Sequence, residues 1–413
     1  MRAHGMDIHY GPGRSRTIVR ERADRSIAVS NRYDNGYIQR NYVYRGAPFV
    51  QRTYYVNGVA YSRVYRPYTL GAVAVAVYAP AYYYSPGFYG WAYTPWGVPA
   101  AYPWGWAADP WYGYYAGYFT PYPAYAGPSL WLTDYMMAET LQAAYLERAA
   151  ELANTQLTYS PLTPEVKQQI ADEVNRQISL ENHEASTVAQ ADPDPGSSGI
   201  ERMLTDNTSH AFVVSSPLFV QSSGGECSIT EGDVLGLMVG AHSDLSAIHL
   251  AVLASKGDDC SRGSVVSVSV ADLQEMQNHM RETIDEGLEK LQSEQGRNGV
   301  PPAPQEAAQP PVKSLYAEIA PPLDPGIADQ LSAQNKEAQK ALQETLSQTP
   351  GGQDPADRSA SEPRLTQGET VQEVLALVGE KPQDVFDSGT NRIYVFSKVV
   401  VTFAGGRVVK IEE

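Results

Sequence analysis

The sequence predicts a multi-module α+β protein, because strand-like and helix-like patterns alternate along its 413 residues. Short runs of alternating polar and apolar residues, separated by glycine or Asn-Gly, fill the first 70 residues and are typical of strands. Later stretches repeat apolar residues every three or four positions, which is the period of an amphipathic helix. Proline-rich stretches lie between these patterns and predict linkers.

Seven segments follow from these changes in pattern and composition. In chain order they are an Arg/Tyr-rich β-repeat region that forms a β-meander (1–77), a Tyr/Trp/Gly/Pro-rich low-complexity tract (78–128), a helical hairpin (129–186), a linker (187–209), a small β-barrel or sandwich with a trailing helix (210–293), a Pro/Gln/Ala-rich linker with a weak helix (294–364), and a C-terminal helix with a three-stranded sheet (365–413).

The N-terminal region contains an internal repeat. Arg-x-Tyr begins at Arg40, Arg52 and Arg63, at steps of 12 and 11 residues, which predicts one strand for each copy. Asn57-Gly58 lies between two strand-like runs and predicts a two-residue hairpin turn. Asn35-Gly36 predicts a second such turn.

Charge is distributed unevenly along the chain, whose net charge is −16. Residues 1–70 contain twelve arginines and four acids, residues 71–133 contain only Asp109, and the remainder carries 19 basic and 42 acidic residues. The acidic total disfavours nonspecific binding to nucleic acid. Arginine beside many tyrosines predicts cation–π contacts, within the chain or with a partner. The alternative is a β-hairpin region with a charged outer face.

The aromatic tract holds thirteen tyrosines between Tyr78 and Tyr125, and all six tryptophans lie between Trp91 and Trp131. Exposed rings of this kind can stack on sugars or lie at a membrane interface. Packing over the N-terminal β region is the competing interpretation, and all three alternatives stay open. The candidate aromatic contact surface comprises Trp91, Trp96, Trp104, Trp106 and Trp111.

Three helices are predicted in the middle of the chain. Ser129 is expected to cap a helix over 130–157, and Thr163-Pro164-Glu165 has the residue types that open a second one. Asp272 is expected to cap a third helix over 273–291. The second helix has one apolar stripe, formed by Val166, Ile170, Val174 and Ile178.

Cys227 and Cys260 are the only cysteines, and both fall in predicted loops of the small β unit. Acidic neighbours raise the pKa of a thiol, so neither residue has the surroundings of an activated nucleophile. A disulfide that closes this loop would stabilise the unit by about 3–4 kcal/mol. We predict that disulfide, with two free structural thiols as the alternative and redox or metal chemistry as a remote one. A disulfide implies an oxidising compartment.

His242, Asp244 and His249 are the one grouping with ligand-like residue types. Zinc requires three or four convergent ligands, and neither HExxH nor a cysteine pair accompanies them. His249 lies in an apolar run, which predicts a hydrogen-bonded sheet histidine. We therefore predict no metal, no cofactor and no catalytic residue, and the chain also lacks GxGxxG, Walker A and GxSxG motifs.

Residues 1–15 contain no apolar core of a secretory signal. The most apolar run, 68–79, covers about 18 Å as a helix, which is too short to span a bilayer. Because the predicted disulfide implies export, we expect the true start of the protein to lie upstream of Met1.

The last 49 residues begin with a capping box at Thr370-Val371-Gln372-Glu373, which predicts a helix over 371–378. Strands are predicted over 392–396, 399–403 and 407–411. The positions that define the pattern are Gly368, Thr370, Val374, Leu377, Gly379, Pro382, Tyr394, Val395, Val401, Thr402, Phe403, Gly406 and Val408.

This tail resembles the SmpA/OmlA (BamE-like) fold of bacterial envelope proteins. The family usually has Gly-x-Pro after the helix, whereas Gly379 and Pro382 here are one residue further apart. The resemblance implies an assembly or interaction module and no catalytic residue, and the chain has no lipid-attachment cysteine. The remainder resembles Tyr/Gly/Trp-rich secreted bacterial proteins, a resemblance that supplies no function.

We therefore predict a non-catalytic structural or interaction protein of the bacterial cell envelope, periplasmic or extracellular. Its contacts would be made by the aromatic tract and the C-terminal module. The expected partner is an envelope protein or cell-wall polysaccharide, with no nucleic acid and no transmembrane helix, although peripheral membrane contact stays open. One alternative is a carbohydrate- or peptidoglycan-binding protein, and a second is an enzyme with a site in 210–293.

Overall fold

The computed structural model describes residues 2–11, 16–31, 35–56, 58–152, 159–188, 194–238, 245, 247–257, 259–348, 374, 384–388, 391–395, 400–404 and 407–412. Contacts divide the chain into two units, Met1–Ala341 and Leu342–Glu413. The described residues form helices and four antiparallel sheets, so the predicted mixed α+β class is confirmed. Five predicted segments lie wholly in the first unit, the segment 294–364 extends across the division, and 365–413 lies in the second unit.

The elements of the chain follow one another in a mixed order of strands and helices. The strands are β1 (Arg2–Ala3), β2 (Met6–Tyr10), β3 (Arg16–Glu21), β4 (Ile27–Asn31), β5 (Gly36–Tyr44), β6 (Ala47–Val56), β7 (Val59–Leu70), β8 (Val73–Ala79), β9 (Tyr82–Tyr83), β10 (Ala211–Val213), β11 (Leu218–Ser222), β12 (Gly225–Ile229), β13 (Val234–Leu237), β14 (Ile248–Ala254), β15 (Val265–Val268), β16 (Val312–Lys313), β17 (Asp384–Ser388), β18 (Asn391–Val395), β19 (Val400–Ala404) and β20 (Arg407–Glu412). The helices are α1 (Pro86–Tyr93), α2 (Pro110–Tyr115), α3 (Pro128–Leu152), α4 (Pro164–Val188), α5 (Ile200–Thr205), α6 (Val270–Ser293), α7 (Leu315–Ile319) and α8 (Ile327–Gln348).

The N-terminal sheet contains β1 to β8 in sequential order, and β5, β6 and β7 each carry one Arg-x-Tyr copy. The predicted turn at Asn57-Gly58 falls between β6 and β7, where Val56 pairs with Val59 and Gly58 has a φ of 86°; Asn57 itself lies outside the described residues. The second predicted Asn-Gly turn is wrong, because Gly36 is already the first residue of β5 and pairs with Ser30.

Helices cover both faces of this sheet. Neighbouring strand residues point to opposite faces, so Phe49 and Val50 of β6 mark the two sides. On the Val50 side, α6 lies against the sheet through the ion pair between Arg52 and Glu275. On the Phe49 side, Tyr316 of α7 packs against Phe49 with ring centroids 6.3 Å apart.

Helix α8 continues that second layer over β2 to β5. Leu331 packs with Ala28 and Ile38, and Ala338 packs with a cluster around Ile18. The segment 294–364, predicted as a linker with a weak helix, therefore contains part of the core of the first unit. Four of the eight apolar residues of α8 are alanines, and for that reason they gave only a faint stripe in the sequence.

Helix boundaries differ from the predicted ones at two caps. Helix α3 begins at Pro128, so Ser129 lies inside the helix instead of capping it, and residues 153–158 at its predicted end lie outside the described residues. Helix α6 is capped by Ser269, whose Oγ accepts a hydrogen bond from the Asp272 amide at 3.1 Å. The predicted cap at Asp272 is thus three residues late. The cap of α4 is as predicted, since Thr163 Oγ1 accepts from the Val166 amide.

The segment 187–209, predicted as a linker, also contains packed structure. Pro195–Ser197 forms a turn of 3₁₀ helix, and α5 follows it. Ile200 and Met203 of α5 are buried against the small β unit. Helix α5 has only six residues, so its apolar residues do not repeat often enough to show a helical period in the sequence.

The aromatic tract folds into β9, α1, α2 and connecting turns, and it packs against α3, α4 and α6.

The small β unit is a single sheet with the strand order β10-β13-β14-β15-β11-β12. The described strands therefore do not form the two facing sheets of a sandwich. Leu273 and Met276 of the trailing helix α6 complete its core.

The second unit contains a four-stranded meander, β17 to β20, instead of the predicted three strands. In the additional strand β17, Asp384–Ser388, the apolar residues Val385 and Phe386 are adjacent in the sequence. The strand therefore lacks the alternation of polar and apolar residues by which strands are predicted. Val374 is helical and buried. Val401 and Phe403 of β19 and Val408 of β20 are also buried. The remainder of the predicted helix over 371–378 lies outside the described residues.

Candidate functional site

The five tryptophans of the predicted contact surface all lie in the largest hydrophobic core. Trp96 and Trp111 are 8% and 3% exposed, and Trp91, Trp104 and Trp106 are partly buried. No described residue of the N-terminal sheet belongs to this core. The rings therefore form neither an exposed platform nor a layer over the N-terminal β region; they fill the space around α3, α4 and α6.

Two of these tryptophans, Trp104 and Trp106, belong to a ladder of stacked rings. Trp106, Trp104, Trp131 and Tyr135 stack in that order, with successive centroid distances of 5.3, 5.1 and 5.5 Å. Each interior ring thus has both faces covered by a neighbouring ring. Offset stacking of this kind adds about 0.5–1.5 kcal/mol per pair to the stabilisation from burial.

A buried polar cluster holds the ladder in place. Trp104 Nε1 donates a hydrogen bond to the Tyr125 hydroxyl at 2.6 Å, which itself donates to Asp134 Oδ2 at 2.8 Å. Lys167 Nζ lies 2.5 Å from Asp134 Oδ1 and 3.7 Å from the centre of the Tyr122 ring. Burial raises the pKa of Asp134 and lowers the pKa of Lys167, while the attraction between the two charges opposes both shifts.

The arginines and tyrosines of the repeat face acidic residues of α6. The Arg52 guanidinium makes two hydrogen bonds to Glu275, at 2.6 and 2.7 Å, and lies 4.4 Å from the centre of the Tyr65 ring. Tyr65 donates from its hydroxyl to Glu282, and Arg63 pairs with Glu286. The repeat therefore makes cation–π contacts within the chain, and its second and third copies fasten the sheet to α6. In the first copy, Arg40 pairs instead with Asp24 and Asp324.

The carboxyl group of Glu282 is the member of this network whose pKa is moved to near neutral pH. Burial raises the pKa of Glu282 to about 7, although Arg63 and the hydrogen bond from Tyr65 favour its charged form. The folded protein thus retains a proton that the unfolded chain releases near pH 4.5. Stability attributable to this group consequently falls as the pH rises from about 4.5 to about 7.

Replacement of Glu282 by glutamine is expected to remove that loss. The variant should keep the hydrogen bond from Tyr65 and should have a flatter dependence of unfolding free energy on pH than the wild type between pH 4.5 and 7. Chemical denaturation across this range gives the difference curve, in which other titrating groups cancel. A difference curve without slope would contradict the assignment.

A buried pair of acids connects α4 with α6. The carboxyl groups of Glu181 and Asp285 hydrogen-bond to one another, and burial raises the pKa of both. Tyr89 donates to Glu181 at 2.6 Å and Tyr78 donates to Asp285 at 2.7 Å. Arg281, also buried, pairs with Glu184 at 2.7 Å. The hydrogen bond between the two carboxyl groups links the helices, while Tyr89 joins α1 to α4 and Tyr78 joins β8 to α6.

A buried histidine was not anticipated from the sequence. His210 Nδ1 lies 2.7 Å from Glu173 Oε2, and its Nε2 lies 2.9 Å from Asp206 Oδ1. Burial lowers the pKa of His210, but the two carboxylates outweigh it and the net shift is upward. Since both ring nitrogens are engaged, the imidazolium joins α4 to the chain between α5 and β10.

The two cysteines form the predicted disulfide, with Cα atoms 5.4 Å apart. Cys227 lies in β12 and not in the predicted loop, whereas Cys260 follows β14. Asp259 Oδ2 accepts hydrogen bonds from the amide and the hydroxyl of Ser228 at 2.7 and 2.6 Å. The covalent bond and these hydrogen bonds fasten β12, an end strand of the small sheet, to the β14–β15 connection.

Of the three ligand-like residues, only His249 lies among the described residues. It occupies an exposed position in β14, and its Nδ1 lies 3.1 Å from Ser267 Oγ on β15, as expected for a hydrogen-bonded sheet histidine. His242 and Asp244 lie outside the described residues. Across the part of the chain that is described, no three His, Cys, Asp or Glu side chains are grouped to hold a metal ion.

Comparison of the chain with protein-family models, with curated proteins and with solved structures finds no match. Among the described helices, none combines the length and the hydropathy that crossing a bilayer requires.

Proposed function

We propose that this chain is a non-catalytic structural or interaction protein of the bacterial cell envelope, located in the periplasm or outside the cell. The disulfide between Cys227 and Cys260 carries the proposal, because such bonds persist in oxidising compartments and are rare in the cytosol. Its position at an end strand of the small sheet gives it a structural role. Both sulfur-bearing residues are buried, so the bond is shielded from exchange.

The distribution of the polar contacts supports a scaffold. Arg20 pairs with Glu337 and Arg52 with Glu275, which joins sequence positions hundreds of residues apart. The Glu181–Asp285 pair is likewise engaged by tyrosine hydroxyls inside the protein. Charged and aromatic side chains that a catalytic site would use thus bind other parts of the same chain.

The partner contact is proposed for the C-terminal module, 365–413, on the resemblance to envelope assembly modules. The aromatic tract is no longer proposed as a contact surface, since its tryptophans belong to the core. Crosslinking in intact cells through a photoreactive residue placed at Val409 of β20, which is 45% exposed, should capture an envelope protein. Recovery of cytosolic proteins alone would contradict the proposed partner class.

Alkylation of freshly harvested cells tests the compartment. We expect Cys227 and Cys260 to resist the reagent until the protein is unfolded and reduced. The Cys227→Ser/Cys260→Ser double variant should lose about 3–4 kcal/mol of unfolding free energy, measured by denaturation, because its unfolded chain is no longer constrained. Wild-type protein under reducing conditions is the matched control and should lose the same amount. Quantitative labelling of both residues in fresh cells would overturn the proposed location.

A further inference from the structure

A surface groove runs along α4 between α1 and the chain around α5. It consists of two cavities of about 500 and 170 Å³ that share Tyr93 and Ser179 in their walls. We name it the Tyr93 groove. The residues that bear on its chemistry are Tyr93, Asn175, Arg176, Ser179, Asn182 and Arg202.

The floor of the Tyr93 groove is a polar stripe of α4. Asn175, Ser179 and Asn182 are spaced by four and three residues, so their side chains follow one face of the helix. With Asp172 at the other end, the stripe extends over about 15 Å. This length suits a linear ligand that meets several side chains in succession.

Several of these side chains have unused hydrogen-bonding capacity. Over the described residues, no hydrogen bond or ion pair involves the side chain of Ser179, Asn182 or Arg202. The Oδ1 atom of Asn175 is buried and likewise has no hydrogen-bond partner in that part of the chain. A buried acceptor without a donor is costly, and its position in the wall of a groove points to a donor supplied from outside.

The charges around the groove cancel. The lining contains two acids, Asp172 and Asp206, and two arginines, Arg176 and Arg202. Arg176 is already engaged by Glu173 and by the Ser209 carbonyl. Asp206 is likewise engaged by His210. A balanced lining provides no net attraction for a strongly charged ligand, and it favours a neutral ligand rich in hydroxyl groups.

Tyr93 supplies an apolar surface at the edge of the groove. It is the last residue of α1, its side chain is 53% exposed, and no ring among the described residues stacks on it. Tyrosine offers a rigid apolar face at a low cost in conformational entropy. One exposed ring beside amide, hydroxyl and guanidinium groups is a combination that matches the apolar face and the hydroxyl edge of a sugar.

We propose that the Tyr93 groove binds a neutral glycan chain, with one sugar on the Tyr93 ring and the next ones hydrogen-bonded along Asn175, Ser179 and Asn182. This adds a binding site to the scaffold. It does not depend on the proposed location, because it concerns binding by the purified protein.

The test measures retention of the full-length protein on insoluble peptidoglycan, chitin and cellulose, and titration with chitotetraose and cellotetraose. We expect retention on at least one polymer, about tenfold weaker binding by Tyr93→Ala, and recovery of binding in Tyr93→Trp. Asn175→Ala should also weaken binding. Tyr82→Ala is the matched control, since Tyr82 is 45% exposed on β9 and does not line the groove.

Three outcomes would overturn the proposal. The first is absence of wild-type binding to every one of these probes. The second is equal weakening by Tyr93→Ala and Tyr82→Ala. The third is retention on peptidoglycan that disappears when an amidase removes its stem peptides, since the ligand would then be a peptide. None of these results bears on the thiol labelling that tests the cell-envelope proposal.

Discussion

Replacement of Asp134 by alanine is expected to lower the free energy of unfolding by about 3–5 kcal/mol. The carboxylate is fully buried and lies 2.5 Å from Lys167 Nζ, which is itself almost completely buried. It also accepts hydrogen bonds from the Tyr125 hydroxyl and the Tyr122 amide. Its removal therefore leaves an ammonium group and two other donors without this partner inside the core. Denaturation by urea or guanidinium chloride measures the loss.

A double-mutant cycle with Lys167→Met separates the ion pair from the packing. Burial acts against the charge of both partners, so replacing both together should cost less than replacing Asp134 alone. The difference between the double variant and the sum of the single variants gives the coupling energy. A loss below about 1 kcal/mol for Asp134→Ala would show that the cluster does not hold the aromatic ladder in place.

Local sequence patterns predicted the elements whose causes are local. The cap at Thr163 and the stripe from Val166 to Ile178 predicted α4, because a helix that buries one face must repeat apolar residues at its own period. Asn57-Gly58 predicted the turn between β6 and β7 for a similar reason, since few residues adopt the backbone that a two-residue hairpin turn requires.

Contacts between distant segments could not be predicted in the same way. The Arg-x-Tyr spacing predicted three strands, but nothing in it identified α6, more than 200 residues later, as the partner of Arg52. Periodicity shows which residues of an element share a face, and it does not show which element covers that face. The same limit applies to α8, whose contact with the N-terminal sheet joins opposite ends of the first unit.

The predicted contact surface of tryptophans was wrong because the sequence does not show which rings are covered by other elements. Composition singled out the tryptophans, since an aromatic tract interrupted by proline and glycine resembles an exposed adhesive segment. A signal for the opposite interpretation was available: Asp134 is a lone carboxylate in the apolar start of α3, and such a residue requires a buried partner. The polar stripe of the Tyr93 groove was also visible as the face of α4 next to its apolar stripe.

Replacement of Trp111 by alanine is expected to cost about 3–5 kcal/mol of unfolding free energy. Trp111 is 3% exposed and its ring lies 5.1 Å from that of Trp106, so alanine leaves a cavity beside the ladder. No hydrogen bond is lost, because Trp111 Nε1 has no partner among the described residues. The cost therefore measures packing alone.

Tyr93→Ala serves as the matched comparison for Trp111→Ala and should change stability by no more than about 0.5 kcal/mol, because an exposed ring has little packing to lose. Thermal unfolding and glycan retention, measured on both variants, distinguish a core ring from a ligand-binding ring. We expect Trp111→Ala to lose stability while its folded form still binds the glycan. We expect Tyr93→Ala to keep its stability and to lose glycan binding. If Trp111→Ala instead kept full stability and lost retention, the tract would be a binding surface after all, and its assignment to the core would be wrong.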